Sequence, residues 1–82
     1  MWYLYMLRCS DGSLYTGITK DIDRRVKEHN GGKIGAKAIK GKLPAELVYS
    51  EEYPNMTEAA RREREIKGWT RVKKLLLIGG LP

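Results

Sequence analysis

The chain has 82 residues, of which 41% are hydrophobic and 32% are charged, a composition typical of a soluble globular protein. A chain of this length has room for one small domain with a thin core, so we expect residues 1–82 to fold as a single domain. Sixteen lysines and arginines against ten acidic residues give a net charge of +6, which favours a polyanionic partner such as nucleic acid. The single cysteine, Cys9, excludes an internal disulfide and a cysteine-based zinc site.

Neither end of the sequence predicts a membrane segment. The apolar stretch MWYLYMLRC has no cationic lead-in and is too short for a signal peptide, and LLLIGGLP is too short to cross a bilayer. The sequence therefore predicts a cytoplasmic protein that does not contact a membrane.

The first two predicted elements are strands joined by a hairpin. WYLYMLRC, residues 2–9, is rich in β-forming residues and apolar on both faces, which is typical of a central strand. SDGS predicts a turn, and LYTGI, residues 14–18, is the antiparallel partner. Gly17 in this second strand permits the close approach of another backbone or of a ligand.

Residues 20–30 form the first predicted helix, with Thr19 as its N-cap. One arc of this helix holds Ile22, Arg25, Val26 and His29. We therefore expect Arg25 and His29 to flank the buried stripe and the adjacent Arg24 to be exposed. A lysine-rich loop follows the helix.

The third predicted strand is AELVYSEEY, residues 45–53. Asn55 followed by Glu58 resembles a capping box that opens a helix extending to about Lys67, and Thr70 caps a short last helix. The order β-β-α-β-α-α predicts an α+β fold with a small three-stranded antiparallel sheet flanked by helices.

An acidic residue interrupts the apolar face of the second helix. That face is formed by Met56, Ala59, Ala60 and Ile66, and Glu63 lies in its middle. A carboxylate there must be paired or bound to a cation, because burying it alone is costly. An ion pair with Lys67 or an arginine, a metal-binding role and a catalytic role all remain open.

Five residues make up the candidate catalytic set: Tyr5, Tyr15, Arg25, His29 and Glu63. A phenol, a guanidinium, an imidazole and a carboxylate together suit phosphodiester chemistry. They offer a group to orient or deprotonate a nucleophile, a cation for the phosphate and a ligand for a divalent metal.

The sequence resembles the GIY-YIG nuclease domain. YLY at positions 3–5 and YTG at positions 15–17 match its two triplets, and Arg25, His29 and Glu63 follow in the family order. The segments CSDGS, RR, EHNGG and ELVY, and a helix with the pattern A-x-R-x-E-x-x-I-K, extend the resemblance through nearly the whole chain. These segments are similar to the short stand-alone bacterial members, the YhbQ/YazA-like or UPF0213 proteins.

The resemblance implies a metal-dependent DNA endonuclease that acts in DNA repair or recombination. The implied substrate is DNA, which includes branched or damaged DNA. The resemblance is also compatible with a protein partner. It implies these roles at the matching positions: active-site phenols at Tyr5 and Tyr15, one of them a general base, a structural glycine at Gly17, a phosphate contact at Arg25, a further active-site residue at His29, and a ligand for one Mg²⁺ or Mn²⁺ at Glu63.

In this interpretation Tyr5, helped by Tyr15 or His29, activates water. A phenol with an ordinary pKa near ~10 is a poor base at neutral pH. Either a neighbouring cation must lower the Tyr5 pKa or His29 must take the proton onward, and the sequence leaves both possibilities open.

A shared active site also constrains the hairpin register. Side chains alternate along a strand, so Tyr5 and Tyr15 share a face only if the connection has an odd number of residues. The simplest solution is the loop Asp11-Gly12-Ser13 with one residue at positive φ, which places Cys9 opposite Tyr15.

Two other functions remain open. In the first, the same fold binds nucleic acid without cutting it, through basic residues on the loop and the last helix: Lys33, Lys37, Lys40, Lys42, Arg71, Lys73 and Lys74. The loop lysines among these are the predicted nucleic-acid contacts of the nuclease as well. In the second, the chain is a protein-interaction domain in which Glu63 and Arg25 form a structural ion pair.

Overall fold

The computed structural model describes residues 1–31 and 34–79, so Gly32, Lys33 and residues 80–82 lie outside the described residues. The elements in chain order are β1 (Trp2–Arg8), β2 (Leu14–Thr19), α1 (Ile22–Gly31), a 3₁₀ helix (Lys37–Lys42), β3 (Glu46–Tyr53), α2 (Met56–Lys67) and α3 (Arg71–Leu77). This order confirms the predicted α+β fold. The 3₁₀ helix corrects the prediction of a plain loop, since Ile39 within it is buried and holds the segment against the sheet.

The sheet is antiparallel and has the strand order β2-β1-β3. The central strand β1 is buried from Leu4 to Leu7, as expected for a strand that is apolar on both faces. Both neighbours of β1 are therefore edge strands.

Each face of the sheet has its own apolar core. On one face Tyr5 and Leu7 pack with Ile39 of the 3₁₀ helix and with the apolar side of α1. On the other face Leu4 and Met6 pack with Ile66 of α2 and with apolar residues of α3. We call these the α1 face and the α2 face.

The β1–β2 hairpin has the predicted odd-numbered connection, but its register differs from the prediction. Leu7, rather than Cys9, lies opposite Tyr15, and the connection is the three residues 10–12 with Gly12 at φ 85°. The reason is local, because the Asp11 carboxylate accepts hydrogen bonds from the Ser13 N–H at 3.0 Å and from its hydroxyl at 2.6 Å. Ser13 thereby becomes the partner of Cys9, whose N–H donates to the Ser13 carbonyl at 2.8 Å.

Helix α1 begins two residues later than predicted, with a different cap. Asp21 accepts a hydrogen bond from the Arg24 N–H at 3.1 Å, whereas Thr19 accepts only from the Asp21 N–H at 3.2 Å. A carboxylate at this position also interacts favourably with the positive end of the helix dipole. Thr19 therefore closes the turn before the helix.

The caps of the two later helices are those predicted from the sequence. Asn55 accepts from the Glu58 N–H at 2.9 Å and Thr70 accepts from the Lys73 N–H at 3.2 Å. Met56, which the sequence places on the apolar face of this helix, is 52% exposed. As the first residue of α2 it has no preceding turn to cover it, and the buried stripe begins at Ala59.

Two sets of hydrogen bonds hold the stretch between the 3₁₀ helix and β3. The side-chain amide of Asn30 accepts from the Ala45 N–H at 2.8 Å and donates to the Ala45 carbonyl at 3.0 Å. The Lys42 carbonyl accepts from the Ser10 N–H at 2.8 Å and from the Ser10 hydroxyl at 2.9 Å.

No helix in the described part of the chain is long and apolar enough to span a membrane.

Candidate active site

The phenol of Tyr5 lies over the edge strand β2 at a glycine. Tyr5 pairs with Gly17 across the sheet, and a Cβ built on Gly17 would lie 2.7 Å from Tyr5 Oη and 2.8 Å from its Cζ. The ring therefore occupies the space that a side chain at position 17 would need. This arrangement takes the Tyr5 hydroxyl across β2 to helix α1.

Tyr5 Oη lies 2.8 Å from His29 Nε2, and both side chains are 1% exposed. The other ring nitrogen, His29 Nδ1, is 3.1 Å from the backbone N–H of Ala36. A backbone N–H can only donate, so Nδ1 must be the acceptor and the proton of a neutral imidazole must be on Nε2. His29 therefore donates to Tyr5, whose own hydroxyl proton is left for another acceptor.

Tyr15 completes an aromatic group with Tyr5 and His29. Its ring centroid is 6.2 Å from that of Tyr5 and 5.2 Å from that of His29, the latter in an edge-on arrangement. Because Leu7 lies opposite Tyr15 and Gly17 lies opposite Tyr5, both phenols are on the α1 face, as the active-site interpretation requires. Tyr15 is partly exposed, whereas Tyr5 is buried.

Arg25 is held beside this group by two contacts of one nitrogen. Arg25 Nη1 lies 2.9 Å from Glu28 Oε1 and 2.9 Å from the Ile34 carbonyl. Its side chain is 29% exposed, while that of the neighbouring Arg24 is 76% exposed. The structure thus confirms the predicted division between the two arginines. The positive charge of Arg25 also acts on both the Tyr5 phenol and the His29 ring.

The electrostatics of the cluster keep Tyr5 protonated and His29 neutral. Burial, reinforced by Tyr15, raises the pKa of Tyr5 to about 12, and the nearby Arg25 guanidinium only partly opposes this. Burial and the Arg25 charge lower the pKa of His29, against a weaker effect of Glu28. The sequence left open that a neighbouring cation lowers the pKa of Tyr5. In this environment the pKa of Tyr5 is raised instead.

Glu63 has a different ion-pair partner from the four clustered residues. Its carboxylate is 22% exposed and forms an ion pair with Lys67 at 3.2 Å, which is the i+4 alternative left open by the sequence. No hydrogen bond or ion pair within residues 1–31 and 34–79 joins it to Tyr5, Tyr15 or Arg25. The Glu63–Arg25 ion pair that the interaction-domain hypothesis requires is therefore not formed between these described residues.

The orientation of α2 nevertheless directs Glu63 toward β2. On the opposite flank of the helix, Arg62 makes two hydrogen bonds of 3.0 Å to Glu51 of β3. Ile66 lies between these two flanks and packs over β1. Glu63 therefore faces the β2 side of the sheet, and β2 is the strand over which the Tyr5 phenol lies on the other face.

Comparison with known proteins decides the family. A family profile described as the GIY-YIG catalytic domain matches residues 1–75. The chain belongs to the GIY-YIG family. Membership identifies it with a family of nucleases, whose substrates are nucleic acids.

Relatives of this GIY-YIG chain are similar over almost their whole length. The UPF0213 proteins of Staphylococcus aureus strains Mu3 and N315 are each 54% identical to it over 76 residues, which cover 93% of this chain and 92% of theirs. The solution NMR structure of a UPF0213 protein from Bacillus halodurans has 48% identity and a TM-score of 0.61, covering 96% of this chain and 84% of that one. A protein from E. faecalis has 34% identity and a TM-score of 0.63, with coverages of 94% and 81%.

The GIY-YIG domain offers one carboxylate, rather than a cage, for a metal ion. Among the described residues no group of three or more histidine, cysteine, aspartate or glutamate side chains is arranged to hold a metal. Mg²⁺ commonly binds through one or two carboxylates together with waters and substrate phosphates. The single Glu63 carboxylate fits that mode of binding.

The loop lysines are spread along the 3₁₀ helix and are not gathered into a pocket. Lys37 and Lys40 are exposed, and the Lys42 ammonium lies 3.9 Å from Asp11. Lys33 lies outside the described residues. Nucleic-acid binding by these lysines stays a prediction.

Two contacts of the site were missed by sequence reasoning. Glu28 is not among the residues predicted for the site, yet its i+3 spacing from Arg25 is the signal that could have identified the pair. The Ala36 N–H, by contrast, left no sequence signal, because any residue except proline supplies the same donor.

Proposed function

We propose that this protein is a metal-dependent endonuclease that hydrolyses DNA phosphodiester bonds, with DNA repair or recombination as its setting. The observation that carries the proposal is the convergence of Tyr5, Tyr15, Arg25 and His29 beside the β2 edge, in a chain that belongs to a nuclease family. Four residues from three separate elements meet there, and three of them have pKa values displaced by their surroundings.

Arg25 is the residue that would bind the scissile phosphate. A guanidinium is charged at any physiological pH and offers five N–H donors in a planar arrangement suited to phosphate oxygens. Glu28 and the Ile34 carbonyl hold Nη1, which leaves the remaining donors for Tyr5 and for an anion. Charge that develops on the phosphate oxygens during hydrolysis would be stabilised by this preoriented cation.

Tyr15 is the phenol best placed to contact the attacking water. Tyr5 is buried, has a raised pKa and accepts a hydrogen bond from His29, so it is poorly suited to take a proton itself. The Tyr5 and His29 rings pack against Tyr15, with centroid distances of 6.2 and 5.2 Å. In this arrangement Tyr5 and His29 orient Tyr15, which contacts the nucleophile.

Glu63 is the residue that would hold Mg²⁺ or Mn²⁺. When bound, such an ion supplies Lewis-acid stabilisation of phosphate oxygens and lowers the pKa of a coordinated water. Support comes from the direction of Glu63 toward the β2 edge and from its carboxylate being only 22% exposed. Lys67 neutralises this carboxylate at present and would have to release it.

A second candidate function, nucleic-acid binding without cleavage, is favoured by that same ion pair. If Lys67 is the permanent partner of Glu63, the chain keeps a positive surface for DNA and lacks a free metal ligand. The two functions differ in one observable, the appearance of cut DNA.

The deciding experiment is incubation of the pure protein with plain, flapped and branched DNA, with Mg²⁺, with Mn²⁺ and with EDTA. Arg25→Gln is compared with Arg24→Gln, which removes the same charge from the next position on α1. The nuclease proposal expects cleavage only with a metal, a loss of about 10²-fold or more for Arg25→Gln, and wild-type cleavage for Arg24→Gln. Binding with no cleavage of any substrate would instead establish the second function.

A further inference from the structure

Nearly all the net charge of the protein lies in one short segment. Residues 61–74 carry seven lysines and arginines and two glutamates, whereas residues 1–60 carry nine basic and eight acidic residues. The segment therefore contributes +5 of the net charge of +6. It comprises the second half of α2, the connection after it, and the first half of α3.

Both acidic residues of this segment form ion pairs with basic residues of the same segment. Glu65 pairs with Arg62 at 2.5 Å and Glu63 pairs with Lys67 at 3.2 Å. Five cations remain without a carboxylate partner among residues 1–31 and 34–79: Arg61, Arg64, Arg71, Lys73 and Lys74. Lys74 is half-buried and the other four are exposed, so their charge faces solvent. We call these five residues the helical basic surface.

The helical basic surface and the aromatic cluster of the candidate active site are supported by different faces of the sheet. Helices α2 and α3 pack on the α2 face through Ile66, Trp69 and Leu77. Tyr5 and His29 lie on the α1 face, where Ile39 of the lysine-bearing 3₁₀ helix is also buried. The chain thus presents positive charge on two separate sides.

The arrangement within the helices favours an external anion. Arg61 and Arg64, and likewise Arg71 and Lys74, are like charges at i,i+3, and such pairs weaken a helix. An anion lying across them would relieve this repulsion. Lys73 is held differently, with its ammonium 4.4 Å from the centre of the Trp69 ring, whose other cation neighbour is Arg62 at 5.0 Å. Trp69 fixes the position of a cation here and is not free to stack on a base.

We propose that the helical basic surface is a second nucleic-acid-binding surface that contacts the phosphate backbone without reading sequence. It deepens the proposed function and rests on it, because the nucleic acid held here is the substrate, or an adjoining part of the substrate, of the candidate active site. Arginine supplies three of the five cations, and its planar guanidinium suits phosphate oxygens. Helix α3 has only seven residues and exposes two apolar side chains, Val72 and Leu76, which is little apolar area for binding a membrane surface.

The test measures how DNA affinity depends on salt, in EDTA so that no cleavage occurs. The variant Arg61→Gln/Arg64→Gln/Arg71→Gln is compared with Lys20→Gln/Arg24→Gln/Lys27→Gln, which removes the same charge from exposed positions at and before α1. Fluorescence anisotropy of a labelled mixed-sequence duplex gives the dissociation constant at several salt concentrations. Thermal unfolding by circular dichroism checks that both variants are folded.

If all three arginines contact phosphates, the slope of log affinity against log salt falls by about 2.7 in the first variant. The loss of affinity between 50 and 200 mM salt then shrinks by about 40-fold. The α1 variant keeps a slope close to that of the wild type. Equal slope changes in both variants would mean that only total charge matters, and no change in the first variant would mean that the surface faces away from DNA; either result overturns the proposal.

Two further results separate this inference from its alternatives. Binding to phosphatidylserine vesicles as tight as to DNA at matched salt, lost in the first variant, would overturn the assignment to nucleic acid. A slope change in the first variant together with a wild-type protein that cuts no DNA would support the surface and refute the nuclease proposal. The two proposals can thus fail separately.

Discussion

The imidazole of His29 donates from Nε2 to the phenol oxygen of Tyr5 at 2.8 Å, because the Ala36 N–H occupies Nδ1 at 3.1 Å. The buried hydrogen bond between His29 and Tyr5 therefore has one direction, and the Tyr5 oxygen keeps its own proton. Since this relationship holds only while the imidazole is neutral, it has a consequence for stability as a function of pH.

We predict that the free energy of unfolding decreases as pH falls below about 6.5. Burial lowers the pKa of His29 in the folded state, so the unfolded chain takes up a proton near its ordinary pKa of about 6.5 before the folded chain does. This histidine contributes no such loss above about pH 6.5, and below it the loss is at most about 1.4 kcal/mol per pH unit. Urea unfolding measured at a series of pH values tests this.

The His29→Gln variant is the control for that pH series. His29 is the only histidine in the chain, so the decline between about pH 5 and 6.5 should be absent in the variant. An equally steep decline in the variant would assign the effect to carboxylates instead.

We predict that Gly17→Ala destabilises the fold by about 1–3 kcal/mol. The added methyl group would overlap the Tyr5 phenol, with contacts of 2.7 and 2.8 Å, and would push Tyr5 away from His29. Gly41→Ala is a suitable control because a Cβ there meets no atom within 4 Å. Urea titration compares the two, and similar unfolding free energies would contradict the proposed packing of Tyr5 over β2.

We predict that Asn30→Asp costs about 1–3 kcal/mol of stability. The change removes the donor to the Ala45 carbonyl and brings a carboxylate oxygen toward that carbonyl, while the bond accepted from the Ala45 N–H survives. Asn55→Asp is the matched control, because Asn55 acts only as a helix N-cap acceptor and aspartate caps equally well. Thermal unfolding should separate the two variants, and equal melting temperatures would show that the Asn30 amide does not fasten β3 to α1.

Much of the fold follows from sequence patterns with a simple physical basis. The central position of β1 follows from apolar residues on both of its faces, and the exposure of Arg24 beside the half-buried Arg25 follows from helical periodicity. The shared face of Tyr5 and Tyr15 could also be predicted, because an odd-numbered hairpin connection requires it.

Other features depend on interactions that the sequence does not reveal. Thr19 and Asp21 can both cap a helix, and only the geometry shows that Asp21 does. The hairpin register was wrong by two residues because the Asp11 carboxylate draws Ser13 out of the loop. The direction of the His29–Tyr5 bond depends on a backbone N–H seven residues along the chain, which no side-chain pattern can indicate.

We predict that Glu63→Gln abolishes cleavage and leaves DNA affinity within a few-fold of the wild type, because it removes a metal ligand and little contact with phosphate. Mn²⁺ binding, followed by electron paramagnetic resonance in the presence of a non-cleavable duplex, should weaken in the same variant. Glu58→Gln, at an exposed position in the first turn of α2, is the control. Equal losses of DNA binding and of cleavage in Glu63→Gln would favour a structural role for the Glu63–Lys67 pair.

The central claim, that the cluster beside β2 is a nuclease active site with Tyr15 facing the nucleophile, is tested most directly by single-turnover cleavage at saturating DNA. The comparison is between wild type, Tyr15→Phe and Tyr3→Phe, where Tyr3 is a partly exposed phenol of β1 outside the cluster. We predict that Tyr15→Phe lowers the cleavage rate by about 10²–10⁴-fold without weakening DNA binding, and that Tyr3→Phe cleaves like the wild type. A Tyr15→Phe protein that cuts DNA at the wild-type rate would contradict the account.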